Sequence, residues 1–384
     1  MYVTLKLSIL SSYQGVSLLY FADNEANSLY ENYLLSSLHD ASTTRIHPLK
    51  KMELFMSSLK NLYISFFLTL LAIAPLVHSQ APGYEPPRTE YGVPDLQGIW
   101  TNRSITRMER NPLIDDGLVL TEERAYEMAQ GSFWMSLDRQ QQNNPITEAK
   151  AGEAAFGSRG HNAFWVDAGF TMGLVKEEYR SSWVTDPADG RIPYKEGGAA
   201  LRRASHLPEI GSFDGPETRP VGERCIAMAF AIGPVMQNGI YNNNYQFVQT
   251  QDHVLLMSEM GHEVRIIPFA AEHSNEDLQP WFGDSIASYD GDTLVIETIK
   301  PYPLQGSYIS PTGKVTERFT RWSDDEIFYE YTVEDPSIYT QPWSGEMSFY
   351  KETALFEYAC HEGNHSLPGI LAGARRAEID ALAQ

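Results

Sequence analysis

The densest run of reactive side chains is Cys360-His361-Glu362-Gly363-Asn364. A histidine near its ordinary pKa exchanges protons at neutral pH, and a carboxylate beside it supplies a partner. His361 and Glu362 therefore read as a general acid/base pair, with Asn364 as a polar contact to substrate. In an extended segment adjacent side chains face opposite ways, so only one enters a given pocket unless Gly363 bends the chain. The plainer use of His361 is a loop histidine bonded to a backbone carbonyl. A second histidine, His273, lies in the polar loop AAEHSNEDLQPWFGDS at 270–285. Loops carried on a rigid scaffold tend to hold function, so His273 is the partner candidate for His361. Trp281 and Asp284 end the same loop, an aromatic platform with a carboxylate three residues on. They read as pocket rim, with Trp281 as an interior plug the competing reading. Arg191, closing Asp186-Pro-Ala-Asp-Gly-Arg191, is suited to hold a substrate carboxylate bidentately. A salt bridge to Asp186 or Asp189 is its plainer role. Tyr241 and Tyr245 flank three asparagines and form a hydrogen-bonding wall.

Several chemistries are disfavoured. There is no G-x-S-x-G elbow, P-loop or G-x-G-x-x-G, so nucleotide cofactors and α/β-hydrolase chemistry are not expected. The two cysteines, 135 residues apart, form no CxxC pair and by themselves do not make a zinc site. The acidic residues of 272–292 lack the spacing of an EF-hand loop, and Asp290-Gly291 is accounted for by a turn. Neither metal nor cofactor is expected. Residues 1–79 carry five charges of each sign, so 24 basic and 45 acidic residues follow them, a net charge of −21. Such a surface repels nucleic acid and anionic lipid. The expected partner is a small molecule, and nothing in the sequence specifies an oligomeric state.

The apolar stretch Asn61–Val77 follows Lys50, Lys51 and Lys60, and Val77 and Ser79 stand at the −3 and −1 positions of a cleavage site before Gln80. That is the layout of a secretory signal peptide, and the run is shorter than the roughly 20 residues of a spanning helix. Methionines at 52 and 56 offer starts for it. The expectation is an upstream extension over 1–55, a signal peptide over 56–79, and a secreted or periplasmic protein from Gln80, with no membrane insertion after cleavage. In an oxidising compartment the even pair Cys225 and Cys360, 135 residues apart, points to a disulfide. Two buried thiols are the alternative.

These residues need a scaffold. Residues 80–94 are Pro/Gly-rich and read as an extended arm. Thr121 starts a helix that the pattern extends to about Gln142, and 143–220 reads as long loops with short strands. From Tyr241 onward short alternating runs take over: YQFVQT, HVLLMSEM, EVRIIPF, SIASYDGDTLVIETI, VTERFTRWS, EIFYEYTVED and MSFYKE. Strands at that spacing without intervening helices predict a mainly β fold, an antiparallel β-barrel or sandwich with a few peripheral helices. Residues 95–384 read as a single β-rich domain ending in a helix.

The blocks Asp95-Leu-Gln-Gly-Ile-Trp100, Asn162-Ala-Phe-Trp165, Asp186-Pro-Ala-Asp-Gly-Arg-Ile-Pro193 and Glu223-Arg-Cys225 occur in this order. Trp281-Phe-Gly-Asp-Ser285, Asp290-Gly-Asp-Thr-Leu-Val-Ile-Glu-Thr298, Asp335-Pro-Ser-Ile-Tyr-Thr-Gln-Pro-Trp343 and Glu357-Tyr-Ala-Cys-His-Glu-Gly-Asn364 follow. With these blocks the chain resembles a large family of secreted, mostly uncharacterised bacterial proteins. The departures are Ala188 and Tyr289, where the family usually has proline and tryptophan, and neither removes a reactive group. The resemblance supplies no reaction. Its strand-rich half is similar to calycin or lipocalin-like cups, which include carriers and hydratase-type enzymes, an analogy of fold alone. The resulting expectation is an extracytoplasmic enzyme of lyase, hydratase/dehydratase or isomerase type, cofactor-free. It would use His361 as acid or base, with His273 or Glu362 as partner, in a barrel cup. The alternative is a non-catalytic lipocalin-like carrier of an aromatic or apolar ligand; a cell-surface structural domain ranks third.

Overall fold

The computed structural model describes residues 81–113, 116–143, 169–203, 211–274, 278–303, 308–361 and 365–383. The expected extension, the signal peptide, the Asn162–Trp165 block, Glu362 and Asn364 lie outside the described residues. In chain order the first elements are β1 (Gly98–Thr101), β2 (Val119–Leu120), α1 (Glu122–Gln130), α2 (Phe133–Asn143), β3 (Leu174–Val175), β4 (Glu178–Arg180) and β5 (Val184–Asp186). Two short helices follow, α3 (Gly198–Arg203) and α4 (Ala229–Ile232). Then come β6 (Asn244–Gln249), β7 (His253–Ser258), β8 (Val264–Pro268), β9 (Asp284–Asp290) and β10 (Thr293–Ile299). The chain continues as β11 (Lys314–Arg321), β12 (Glu326–Glu334), β13 (Trp343–Glu352) and α5 (Ser366–Leu382).

The expected helix from Thr121 is two helices. Thr121 caps α1 by accepting the Arg124 amide at 3.2 Å. The Gly131 amide closes that helix on the Glu127 carbonyl at 2.9 Å. Ser132 then caps α2 by accepting the Met135 amide at 3.3 Å. A glycine end followed at once by a serine cap breaks a helix that periodicity alone would continue.

The strands form one antiparallel sheet in the order β8-β7-β6-β1-β13-β12-β11-β10-β9, with β5 also paired to β13. Beside it stands a small three-stranded sheet, β2-β4-β3. Alternation decides which side chains face inward: on β11 these are Val315, Glu317, Phe319 and Arg321, all buried. Phe247 of β6 meets Phe319 of β11 with ring centroids 5.6 Å apart, although three strands separate them in the sheet. The sheet is therefore strongly curled, and its concave side is filled by rings such as Trp100, Tyr245, Phe247, Tyr329 and Phe349, each nearly inaccessible to solvent.

The expected closed barrel is not formed. The end strands β8 and β9 meet through one isolated bridge, Phe269 to Ala287. Pro268 ends β8 and lacks an amide hydrogen, and the chain leaves the sheet after the Phe269 bridge, so no ladder closes the seam. Arg265 of β8 reaches across instead. Its Nη2 lies 2.6 Å from Glu317 Oε2 of β11 and 3.1 Å from Thr298 Oγ1 of β10. The Tyr329 hydroxyl donates to the other Glu317 oxygen at 2.8 Å.

Register defines two ends of this sheet. Thr101, Asn244, Asp284, Ile299, Lys314 and Val333 pair at or beside one end, from which the long loops leave. At the other end the arm is tied down. Tyr84 donates to Asp324 at 3.0 Å, and Arg88 pairs with Asp292 at 2.8 Å across the β9–β10 turn. That turn is the expected hairpin: Gly291 takes φ +61°, which a two-residue connection requires.

Removing Arg265 would strand a carboxylate on which the seam depends. Arg265→Met is expected to lower stability by about 3–5 kcal/mol, and adding Glu317→Leu to recover most of that loss. Urea unfolding midpoints measure both; a single variant within about 1 kcal/mol of the wild type would show that packing alone holds the seam.

Candidate functional site

Asp284 opens β9 and Glu297 lies near the end of β10; the register Ile299–Asp284 and Glu297–Ile286 puts both carboxylates on the convex face. The loop after β8 lays His273 over that face. Its Nε2 is 3.2 Å from Glu297 Oε1, and its Nδ1 is 3.4 Å from Asp284 Oδ2. The second contact lacks the alignment of a hydrogen bond, so Nδ1 is a buried nitrogen facing a carboxylate without a formed bond. Asp284 is fixed in turn by the Ser274 amide at 2.9 Å. Lys314, beside Ile299 on β11, holds the far oxygen of Glu297 at 3.4 Å and Glu334 at 3.0 Å. The His273 side chain is 15 % exposed and that of Glu297 38 %, so the imidazole is sheltered and its carboxylate partner opens to solvent.

The structure thus brings His273 and Asp284 together, with Trp281 in the same loop packed against Tyr302 at 4.4 Å between ring centroids. Glu297 is the member that inspection of the sequence passes over. It stands within TLVIETI as one charged residue in an apolar strand, and only the β9–β10 register makes it a neighbour of Asp284.

The other expected residues are dispersed. His361 is exposed and lines none of the cavities described here. Cys225 and Cys360 form the disulfide, with Cα atoms 5.3 Å apart. By chain-entropy arithmetic such a loop closure contributes up to about 4–5 kcal/mol. Tyr241 stacks on Tyr358 at 6.2 Å near this disulfide. Tyr245 points into the core and donates to the Ala231 carbonyl at 3.0 Å, and burial raises its pKa. It is a packing residue, and no cavity described here is lined by it. Arg191 is exposed; its ion-pair partner is Glu109 at 3.3 Å, not Asp186 or Asp189. The Asp189 carboxylate accepts the Arg191 amide instead.

Two further ionisable groups flank the loop-bearing end. Glu259 is buried and accepts from Asn242 at 2.6 Å, Asn244 at 2.9 Å and the Phe356 amide at 2.9 Å, pinning the segment that leads to Cys360. Glu263 accepts the Met228 amide at 2.8 Å through one oxygen, while the other is buried without a partner. Desolvation pushes its carboxyl up to about 7, and the Met228 bond opposes the shift.

On the convex face Glu330 stands directly opposite Glu346. Arg180 holds Glu346 at 2.6 Å. Burial raises the Glu330 carboxyl, and Lys176 and Arg318 pull it back. Glu330, Glu346 and Arg318 line a cavity of about 150 Å³. Lys176 sits in a tight β3–β4 turn with φ +51°, its amine 3.3 Å from the Phe328 ring centroid, and burial lowers its pKa. Among the described residues no three His, Cys, Asp or Glu side chains are grouped so as to hold a metal ion.

Glu263 sets a pH dependence of stability. Its folded pKa of about 7 lies above the ordinary 4.5, so the native state holds this proton more tightly than the unfolded chain. The stabilisation is fully present below that ordinary value and is lost as pH rises through the folded one. Glu263→Gln is expected to raise the melting temperature at pH 8 and flatten its decline from pH 5, with an upper bound of about 3 kcal/mol. Parallel melting curves for both proteins across that range would disprove the assignment.

No family model, curated protein or solved structure matches this chain.

Proposed function

We propose that this protein is an extracytoplasmic enzyme performing cofactor-free acid/base chemistry on a small organic molecule, with His273 as its proton-transferring group. One observation carries the reading: each imidazole nitrogen faces a carboxylate, at 3.2 and 3.4 Å, on the loop-bearing end of a rigid sheet. The Nε2–Glu297 hydrogen bond orients the ring and joins the imidazole to the more exposed carboxylate, with Asp284 beside Nδ1. Glu297, half-open to solvent and held by Lys314, meets the substrate and exchanges the proton with Nε2. The reaction class is that of a lyase, hydratase or isomerase, in which one proton is removed and returned without a redox partner. The centre thereby shifts from His361 to His273, because His273 has the two partners that acid/base work needs.

Secretion is part of the proposal. The disulfide supports it, and no helix among the described residues is long and apolar enough to cross a membrane. The curled meander supports an analogy with lipocalin-like cups, although analogy of fold assigns no reaction. The carrier reading has less support, since rings and aliphatic side chains occupy the concave side where a lipocalin-like ligand would sit.

A thermal-shift screen of small organic acids, alcohols and lactones, followed by turnover assays on the hits, tests the proposal. His273→Ala is expected to lower kcat by about 10²–10⁴ while the protein still folds, and Asp284→Asn to lower it less. Undiminished turnover in His273→Ala would sink the assignment. Loss of cooperative unfolding in that variant would make the cluster a lock for the 270–283 loop.

A further inference from the structure

The largest cavity described lies away from His273. Its volume is about 350 Å³, within the range of small-molecule sites, and it opens where β1 runs into the segment 102–110. One wall is built by the start of α2, where Phe133 and Trp134 pack edge to face at 4.9 Å. Trp183 also lines the cavity, is almost wholly buried, and is held still: its indole nitrogen donates to Asn238 at 2.7 Å, and Asn238 donates to the Ser104 carbonyl at 2.6 Å.

Arg107 lines this cavity and the adjoining one of about 190 Å³. Its backbone is fixed by a parallel bridge to Ser182 and by accepting the Trp183 amide at 3.0 Å. Its guanidinium has neither an ion pair nor a hydrogen bond with any described residue. The side chain is exposed, so the guanidinium is open to an anionic ligand. The other arginines lining described cavities are engaged: Arg110 with the Ala188 carbonyl at 3.0 Å, and Arg318 with Asp290 at 2.8 Å. The first turn of α2 carries no acidic residue, so its positive end also faces the cavity uncompensated.

We propose that this cleft binds a small aromatic carboxylate, its ring against Phe133 and Trp134 and its carboxylate on Arg107. Rings prefer offset or edge contacts with tryptophan and phenylalanine, and a guanidinium fork matches a carboxylate bidentately. A neutral aromatic leaves Arg107 without a counter-charge, and acetate leaves the rings without a partner. This site lies beyond the His273 reading and does not depend on it.

Isothermal titration of the purified protein with benzoate and indole-3-acetate tests the proposal, with indole-3-acetamide and acetate as comparisons. At least one aromatic acid should bind, with the amide and acetate each weaker by about tenfold or more. Arg107→Gln should weaken the aromatic acid by at least about tenfold, Arg107→Lys by less, and Trp134→Ala comparably to Arg107→Gln. Arg376→Gln, far along α5, should leave binding unchanged. No heat from either aromatic acid at about 10 mM would overturn the proposal. So would equal affinity for the amide, or unchanged affinity in folded Arg107→Gln. Because titration reads binding and not turnover, failure here leaves the His273 assignment standing, and failure of that assignment leaves this one.

Discussion

The buried pair of Arg265 and Glu317 is the constraint from which the architecture follows. Its side chains are 3 % and 0 % exposed, and it joins the end strand β8 to β11, third from the other end of the sheet order. A nine-strand path curled this far exposes two edges unless a ladder or side chains bridge them. Here the bridging is polar and internal. Arg265 also donates to the Ile232 carbonyl at 3.3 Å, and the Tyr329 hydroxyl accepts the Met236 amide at 3.2 Å, so the network also anchors the segment that enters β6. Such a pair adds little net stability over apolar residues of similar size. Its cost when half-broken is large, and that makes the curl specific.

The curl sets where function can reside. With the concave side packed by tryptophan, tyrosine and phenylalanine, open space is left to the convex face and to the loops at one end. The arm of residues 81–97 occupies the other end, held through Tyr84, Arg88 and a 2.6 Å bond from Arg321 to the Asp95 carbonyl. His273 with its carboxylates and the Arg107 cleft therefore share the loop-bearing end. One sets an imidazole beside two carboxylates, and the other sets an exposed guanidinium beside aromatic rings. Positioning differs as well: Asp284 and Glu297 ride on paired strands, whereas His273 is delivered by a loop and sheltered by what it touches.

The disulfide belongs to the same end. Cys360 returns the chain to Cys225 after the convex face is complete, and Glu259 fastens the intervening segment through the Phe356 amide. Glu263, two residues beyond Gly261, has a desolvated carboxyl close to the same contacts. The covalent bond limits the unfolded chain, whereas the two glutamates act on the folded state.

The sequence by itself determined features that depend on neighbours in the chain. Alternating apolar residues from Tyr245 to Glu352 specified antiparallel strands, and Asp290-Gly291 specified their tightest turn. Thr121 marked a helix start, and the even cysteine count pointed to the bridge. His273, Trp281 and Asp284 stood out because they share one polar loop. Tertiary structure decided what depends on strands brought together from far apart. Glu297 became part of the site only through its register with β9, and the Arg265–Glu317 pair spans 52 residues of sequence. Openness of the sheet was not legible either, because alternation reports which face a side chain takes and not whether the last strand meets the first. Nor was the single helix from Thr121 realised, since Gly131 and Ser132 act as caps only once their φ/ψ angles and hydrogen bonds form. Arg107 gave no signal in its segment, because the absence of a partner is a property of three-dimensional neighbours. Local pattern fixes element type and facing; pairing, burial and charge balance belong to the folded chain.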